Sequence, residues 1–150
     1  MRRYVKPTYL TSGAIVASPG IRSERDNDGE LLILDSKYGV VIGDDVEICV
    51  NATIQRGTYR DTEIGDGTQI GPGANIGHNT MVGRRCFIAA GALVAGSVTI
   101  DDDVTIWQGA MIAHYVHIEA RAVIGMGAVV LERVVPAGET WVGNPARRIR

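Results

Sequence analysis

A chain of 150 residues has room for one cored domain and no second. Its formal net charge of −2 argues against a general nucleic-acid binder, and no segment approaches the ~18 apolar residues of a membrane span. Nineteen glycines against one Phe and two Trp imply tight turns around a core of Ile, Val and Ala.

The first residues, Met1-Arg2-Arg3-Tyr4-Val5-Lys6, lack the apolar run of a secretion signal. The expected compartment is therefore the cytoplasm, with no membrane insertion. Residues 20–39 contain a charged run, Ile21-Arg22-Ser23-Glu24-Arg25-Asp26-Asn27-Asp28-Gly29-Glu30, followed by Leu31-Leu32-Ile33-Leu34. Asp28-Gly29 predicts a turn between two short strands. This first extruded loop reads equally as an acceptor-binding element or as a solvated hairpin.

A different rhythm starts at Ile42. Ile42, Ile48 and Ile54 are evenly spaced, and every sixth residue from Ile64 to Val130 is aliphatic. Two residues before each sits a small or β-branched side chain or a cysteine, from Thr62 and Thr68 through Cys86 to Ala128. This period is neither helical nor a simple strand alternation. It marks a hexapeptide-repeat parallel β-helix, with three hexads closing one triangular coil. The count predicts an all-β stack of about five coils in a single domain, residues 1–150. Between Ile54 and Ile64 the rhythm breaks, and the surplus residues 55–61 predict a second extruded loop. Residues 136–150 predict a cap over the open strand edges. Cys86 takes an inward small-residue position and Cys49 a turn position, and both read as free thiols.

Residues 18 apart then lie one above the other, about 4.8 Å apart. His78, Gly96 and His114 form one column, which Glu132 continues. Asn79, Ser97, Tyr115 and Arg133 form the column beside it. The two histidines are expected roughly 10 Å apart, with a gap at Gly96 where a ligand can approach backbone N–H. Such a wall suits acyl transfer to an amine or hydroxyl. Neutral imidazole is the usual general base near neutral pH. A backbone N–H beside a glycine suits the oxyanion. A thioester is already activated, so no protein nucleophile is needed.

Several words of the sequence carry a resemblance. They are Ile42-Gly43-Asp44-Asp45-Val46-Glu47-Ile48, Thr53-Ile54-Gln55-Arg56-Gly57, Ile76-Gly77-His78-Asn79, Ala95-Gly96-Ser97 and Gly125-Met126-Gly127. With their intervals, they make Val41 to Val130 resemble the β-helix domain of UDP-3-O-acylglucosamine N-acyltransferase, of lipid A biosynthesis. The resemblance implies a left-handed β-helix, a homotrimer with clefts between subunits, and a sugar or nucleotide-sugar acceptor. It implies His78 as catalytic base and Gly96 as oxyanion donor; Asn79, His114, Tyr115 and Arg56 are the expected substrate contacts. The chain differs from the family at Gly20-Ile21-Arg22-Ser23, where the family has a Gly-aromatic-Gly-aromatic word that stacks uracil. It differs at Gln55, an aspartate in the family, and at Tyr115, where the family has a second histidine; His114 is adjacent.

The ending Val142-Gly143-Asn144-Pro145-Ala146-Arg147 resembles that of small hexapeptide acetyltransferases. It implies acetyl-CoA as co-substrate, met by Asn144, Pro145 and Arg147. An acyl carrier protein is the alternative donor. No bound cofactor and no metal are expected. Two other classes share this architecture: a non-catalytic β-helix scaffold, and the γ-class carbonic anhydrases with three zinc-binding histidines. A zinc set would have to use His78, His114 and His117, although Gly109 stands where a ligand partner of His114 belongs.

Overall fold

Inward isoleucines set the frame. In the computed structural model, which describes residues 8–20 and 23–150, Ile48, Ile54, Ile70, Ile76, Ile88, Ile106, Ile118 and Ile124 are fully buried. Each belongs to a short strand and stacks on the equivalent residue of the next coil. Ile70, Ile88 and Ile106 are direct partners in register, as are Ile76, Val94 and Ile112. Burying each such side chain contributes about 1.5–3 kcal/mol. The core is thus one apolar column along the axis.

Three parallel sheets face this column. The first runs from Tyr9–Leu10 through Glu47–Ile48, Gln69–Ile70, Phe87–Ile88, Thr105–Ile106 and Val123–Ile124 to Thr140–Val142. The second holds Ile15–Ser18, Thr53–Gln55, Asn75–Ile76, Leu93–Val94, Met111–Ile112 and Val129–Val130. The third holds Val40–Ile42, Thr62–Ile64, Met81–Val82, Thr99–Ile100, His117–Ile118 and Val134–Val135. Every described element is a strand, and no helix is long and apolar enough to cross a membrane. This is the expected left-handed parallel β-helix.

The corners hold polar groups without exposing the core. Thr62, Thr68 and Thr80 occupy inward corner positions and are fully buried. Their hydroxyls are all engaged: Thr68 Oγ1 donates to Gly83 O (2.8 Å), Thr80 Oγ1 donates to Ala95 O (3.0 Å), and Thr62 Oγ1 accepts from Asn79 N–H (2.9 Å). An alanine in those places would leave backbone groups short of partners.

The stack is about six coils, not five. The extra rungs lie at its ends. Tyr9–Leu10 pairs with Glu47–Ile48, and Ile15–Ser18 with Thr53–Gln55, so the N-terminal segment supplies strands without showing the six-residue signature. At the other end Val134–Val135 pairs with His117–Ile118 after a corner one residue shorter than the rest. The ladder then finishes as a cap, where Thr140–Val142 turns back antiparallel onto Arg147–Arg148.

Both extruded loops are present. Ser23–Arg25 and Leu31–Ile33 form an antiparallel hairpin, with Asp26 Oδ1 accepting the N–H groups of Asp28 and Glu30 across the turn (2.9 Å each). Gly29 takes φ +85° there, which the left-handed region allows a glycine at little cost. Expectations resting on Met1 to Lys6 and on Ile21 and Arg22 fall outside the described residues. Cys86 is buried and Cys49 half-buried, and both are free thiols.

Candidate active site

The site forms where the second sheet turns into the third. Successive corners place Arg56, His78, Gly96, His114 and Glu132 in one line, following the register Ile54, Ile76, Val94, Ile112 and Val130. The next residue in three of these corners, Asn79, Ser97 and Tyr115, has φ near +60°. The left-handed conformation turns the chain sharply and aims the preceding side chain along the column.

His78 and His114 come closer than backbone spacing alone implies. Their ring centroids are 6.4 Å apart with planes tilted 40°. Gly96 lies between them, and the absence of a side chain there lets the rings lean together. A β-carbon on Gly96 would sit 2.6 Å from Cε1 and Nε2 of His78. The space that a Gly96 side chain would take is therefore filled by the His78 imidazole. From the other side Gly20 packs on His78, where a β-carbon would fall 2.6 Å from His78 Cβ. His78 is 8% exposed as a result.

The backbone around Gly96 keeps one donor out of the ladder. Ala95 N–H donates to Ile112 O (3.0 Å) and Ser97 N–H to His78 O (2.8 Å). Gly96 N–H, between them, takes no part in these ladders. One coil earlier the equivalent N–H, that of His78, is taken by Gln55 Oε1 (3.2 Å).

Asn79 does not face the groove, contrary to the expectation that it contacts substrate. It is fully buried. Its Oδ1 accepts Thr58 N–H (2.8 Å) and Tyr59 N–H (3.2 Å), and its Nδ2 donates to Thr58 Oγ1 (2.9 Å). Arg60 closes over its carbonyl with Nε and a terminal nitrogen (3.0 and 2.8 Å). The extra loop folds back onto Asn79, which removes that side chain from solvent. Asn79 Nδ2 also reaches His78 Nδ1 at 2.6 Å.

Ser23, Glu24, Tyr59, His78, Ser97, His114 and Tyr115 line a groove of about 430 Å³. The hairpin thus forms one wall through Ser23 and Glu24, and the extra loop another through Tyr59. Tyr59 OH shares a hydrogen bond with Ser97 Oγ (2.8 Å). Tyr115 is 59% exposed, and the Arg133 guanidinium lies 5.8 Å from its ring centre. Arg56 sits one coil before His78, half-buried, with Nε lacking a hydrogen-bond partner among the described residues.

Asn144, Pro145 and Arg147 belong to the other end of the column. Asn144 and Pro145 are exposed in the turn of the cap. Arg147 reaches Glu132 (3.5 Å), the last member of the histidine column. His117 points elsewhere: it is on the outward face of the third sheet, with Nε2 2.9 Å from Asp101 Oδ1. It does not converge with His78 and His114, and the described residues contain no cluster of metal-ligating groups.

Gln55, Tyr59, Glu24 and Gly20 were not singled out by the column arithmetic. The ten-residue gap between Ile54 and Ile64 was the signal for Gln55 and Tyr59. Nothing in the local sequence marks Gly20 as a neighbour of His78.

Comparisons with known proteins agree with this geometry. Residues 61–96 match the bacterial transferase hexapeptide (six repeats). The chain is a hexapeptide-repeat β-helix. It is 36% identical over 152 residues to the UDP-3-O-acylglucosamine N-acyltransferase of Methylorubrum extorquens (strain PA1), covering 94% of this chain and 42% of that protein. This hexapeptide-repeat chain thus spans about two fifths of that curated relative. The solved UDP-N-acetylglucosamine O-acyltransferase (LpxA) of Moraxella catarrhalis RH4 superposes with a TM-score of 0.85 at 23% identity, covering 95% of this chain and 53% of that one. Caulobacter crescentus PerB, solved in complex with CoA and GDP-perosamine, superposes with a TM-score of 0.75 at 24% identity, covering 98% and 59%. The two solved structures bear on the fold.

Proposed function

We propose that this chain is an acyltransferase that moves an acyl group, acetyl from acetyl-CoA, to an amino group of a sugar or nucleotide sugar. The observation that carries the reading is a pair of imidazoles converging on one groove, their ring centroids 6.4 Å apart. Ser97 is 8% exposed and bonded to Tyr59, and Cys86 is buried in the core. A thioester donor is already activated and needs no protein nucleophile. A histidine accepts the proton of the attacking amine, and Gly96 N–H, between the laddered N–H groups of Ala95 and Ser97, serves the oxyanion.

Acetyl-CoA is favoured by the cap. Asn144, Pro145 and Arg147 lie at the end of the histidine column, and PerB, of the same fold, holds CoA with a nucleotide sugar. The relative's name, UDP-3-O-acylglucosamine N-acyltransferase, keeps a longer acyl chain on acyl carrier protein as the second reading. Free thiols at Cys49 and Cys86 fit a reducing compartment, the cytoplasm.

A homotrimer completes the site in this reading. Leu93 and Met111 are register partners on the outward face of the second sheet and are 43% and 48% exposed. A second copy laid against them covers apolar surface and turns the open groove into a cleft.

The test is direct. The purified chain is incubated with acetyl-CoA or acyl carrier protein thioesters and a panel of amino sugars and nucleotide amino sugars, and acceptor mass is followed. Acylation of an amine with thiol release supports the reading. Hydrolysis only, or no turnover with either donor, overturns it.

A further inference from the structure

Arginines elsewhere on the body have evident counterparts. Arg84, Arg85, Arg147 and Arg148 each pair with a carboxylate, at 3.2, 2.7, 3.5 and 3.2 Å. Arg60 closes on the Asn79 carbonyl. Arg56 differs from all of these. It is half-buried, its Nε is sealed from solvent without a hydrogen-bond partner, and no described residue bonds to its terminal nitrogens. Its neighbour Gln55 is neutral and commits Oε1 to the His78 N–H (3.2 Å), so the adjoining side chain supplies no counter-charge.

An exposed arginine needs no partner, because water solvates it. A half-buried guanidinium has given up part of that water, which is costly unless another group replaces it. The turn itself does not call for the charge. Its backbone is already held by Arg56 N–H donating to Ser18 O (2.9 Å), and the same corner on later coils is made by His78, Gly96 and His114. A cation kept short of partners beside the imidazole line is poised for a ligand that brings the negative charge.

We infer that Arg56 is a specificity-determining residue that binds an anionic group of the acceptor, a phosphate or a carboxylate, on the N-terminal side of His78. The anion chemistry follows from the guanidinium; its assignment to the acceptor rests on the acyl-transfer reading. A guanidinium offers parallel N–H donors that match two oxygens of either group. Arg56 precedes His78 by one coil, about 4.8 Å along the axis. Arg147 meets the same line at Glu132, beyond His114. The imidazoles therefore lie between two basic ends. The acceptor's anion is held at Arg56, and the donor enters from the cap.

Calorimetric titration and thermal shift of the full chain test this with four probes: pyrophosphate, uridine diphosphate, glucuronate and uncharged N-acetylglucosamine. The native chain should prefer an anion to the uncharged sugar. Preference for the phosphates identifies a phosphate site, and preference for glucuronate a carboxylate site. Arg56→Gln should weaken the preferred anion by about 10–10²-fold, the scale of a charge-assisted hydrogen bond, and leave the uncharged sugar as it was; Arg56→Lys should fall between. Without ligand, Arg56→Gln should melt no lower than the native chain, because it removes a charge that lacks a partner. In turnover the variant should raise the acceptor KM by a similar factor while the acetyl-CoA KM stays native. No preference for anions in the native chain, unchanged anion affinity in Arg56→Gln, or a loss confined to acetyl-CoA overturns the inference. A lower melting temperature with unchanged anion affinity marks a structural arginine and overturns it as well. If the native chain transfers no acyl group, the acyl-transfer reading falls, while the titrations still decide whether Arg56 holds an anion.

Discussion

Gly96 lies so close beneath His78 that the space of one methyl group separates a working imidazole from a displaced one. A β-carbon would sit 2.6 Å from two ring atoms, well inside van der Waals contact. Gly96→Ala should therefore push the His78 ring off its position. Because the corner lies outside the apolar column, the fold should persist. Expected is a fall in kcat of at least about 10²-fold, the scale of a lost positioned proton-transfer or donor group, with a far-UV spectrum like that of the native protein. Native kcat in Gly96→Ala would show that the ring's position does not matter.

Asn79 ties the extra loop to the body, so its loss should be felt in stability. Removing the amide leaves the N–H groups of Thr58 and Tyr59 without their acceptor, at about 1–3 kcal/mol. Asn79→Gly keeps the positive φ of 58° and isolates the hydrogen-bond loss; Asn79→Ala adds the left-handed backbone cost of about 1–2 kcal/mol. Urea unfolding should rank native above Asn79→Gly. If the glycine variant matches the native midpoint, the loop is not anchored through this amide.

The spine of isoleucines predicts large effects at single positions. Ile88 is fully buried between Ile70 and Ile106 in register. Ile88→Ala should cost about 2–5 kcal/mol, because neighbours in a stacked column collapse little into the void. Thermal or denaturant unfolding measures this. A loss below 1 kcal/mol would mean that adjacent coils close the gap.

Cys86 should resist alkylation. Burial pushes its thiol up to about 11, with smaller opposing contributions from hydrogen bonds to Val104 and Thr68. Cys49 is also raised, by burial and then by Glu47. At neutral pH neither thiol is substantially ionised, and Cys86 is inaccessible as well. A thiol reagent should modify Cys86 only as fast as the protein opens, and rapidly in denaturant. Rapid native-state labelling of Cys86 would contradict its place in the core.

A ladder of ion pairs on the far corner predicts acid sensitivity. Asp103 is held below its ordinary value of 3.8 first by the hydrogen bond from Arg85, and Asp102 by the Arg84 backbone N–H. A carboxylate with a depressed folded-state value stabilises above its unfolded value and loses that contribution as pH falls through the folded one. The effect should be absent at neutral pH and appear as pH drops below about 4. These groups are solvent-facing, so the contribution is small. Melting temperature against pH for Asp103→Asn should converge with the native curve at the acid end. Parallel curves across the range would exclude this source.

The repeat was legible because core geometry dictates every inward position: Ile64 through Val130 have no alternative place to go. The histidine column was legible for the same reason, since stacking carries any outward residue to a known height. What backbone spacing cannot convey is side-chain direction. His78 and His114 lean together over Gly96, closing a separation of two coils to 6.4 Å. Asn79 was misread because its burial depends on how the extra loop folds back, a long-range event with no local signature. The end rungs were missed because Tyr9–Leu10 and Ile15–Ser18 are too short to display a period and become strands only by pairing with Glu47–Ile48 and Thr53–Gln55.

Arg147 stands at the far end of the line that begins at His78, and the span between them is counted in whole coils. From His78 through Gly96 and His114 to Glu132 there are three steps, roughly 14 Å at the strand spacing. Reach in this architecture is therefore quantised. Adding one 18-residue coil between Ile118 and Val129 would move the basic cap by a single fixed increment while leaving the imidazole pair untouched. A donor whose length suits one spacing would then be mismatched at the next, so chain-length selectivity can evolve by insertion alone, without altering a residue of the reacting centre.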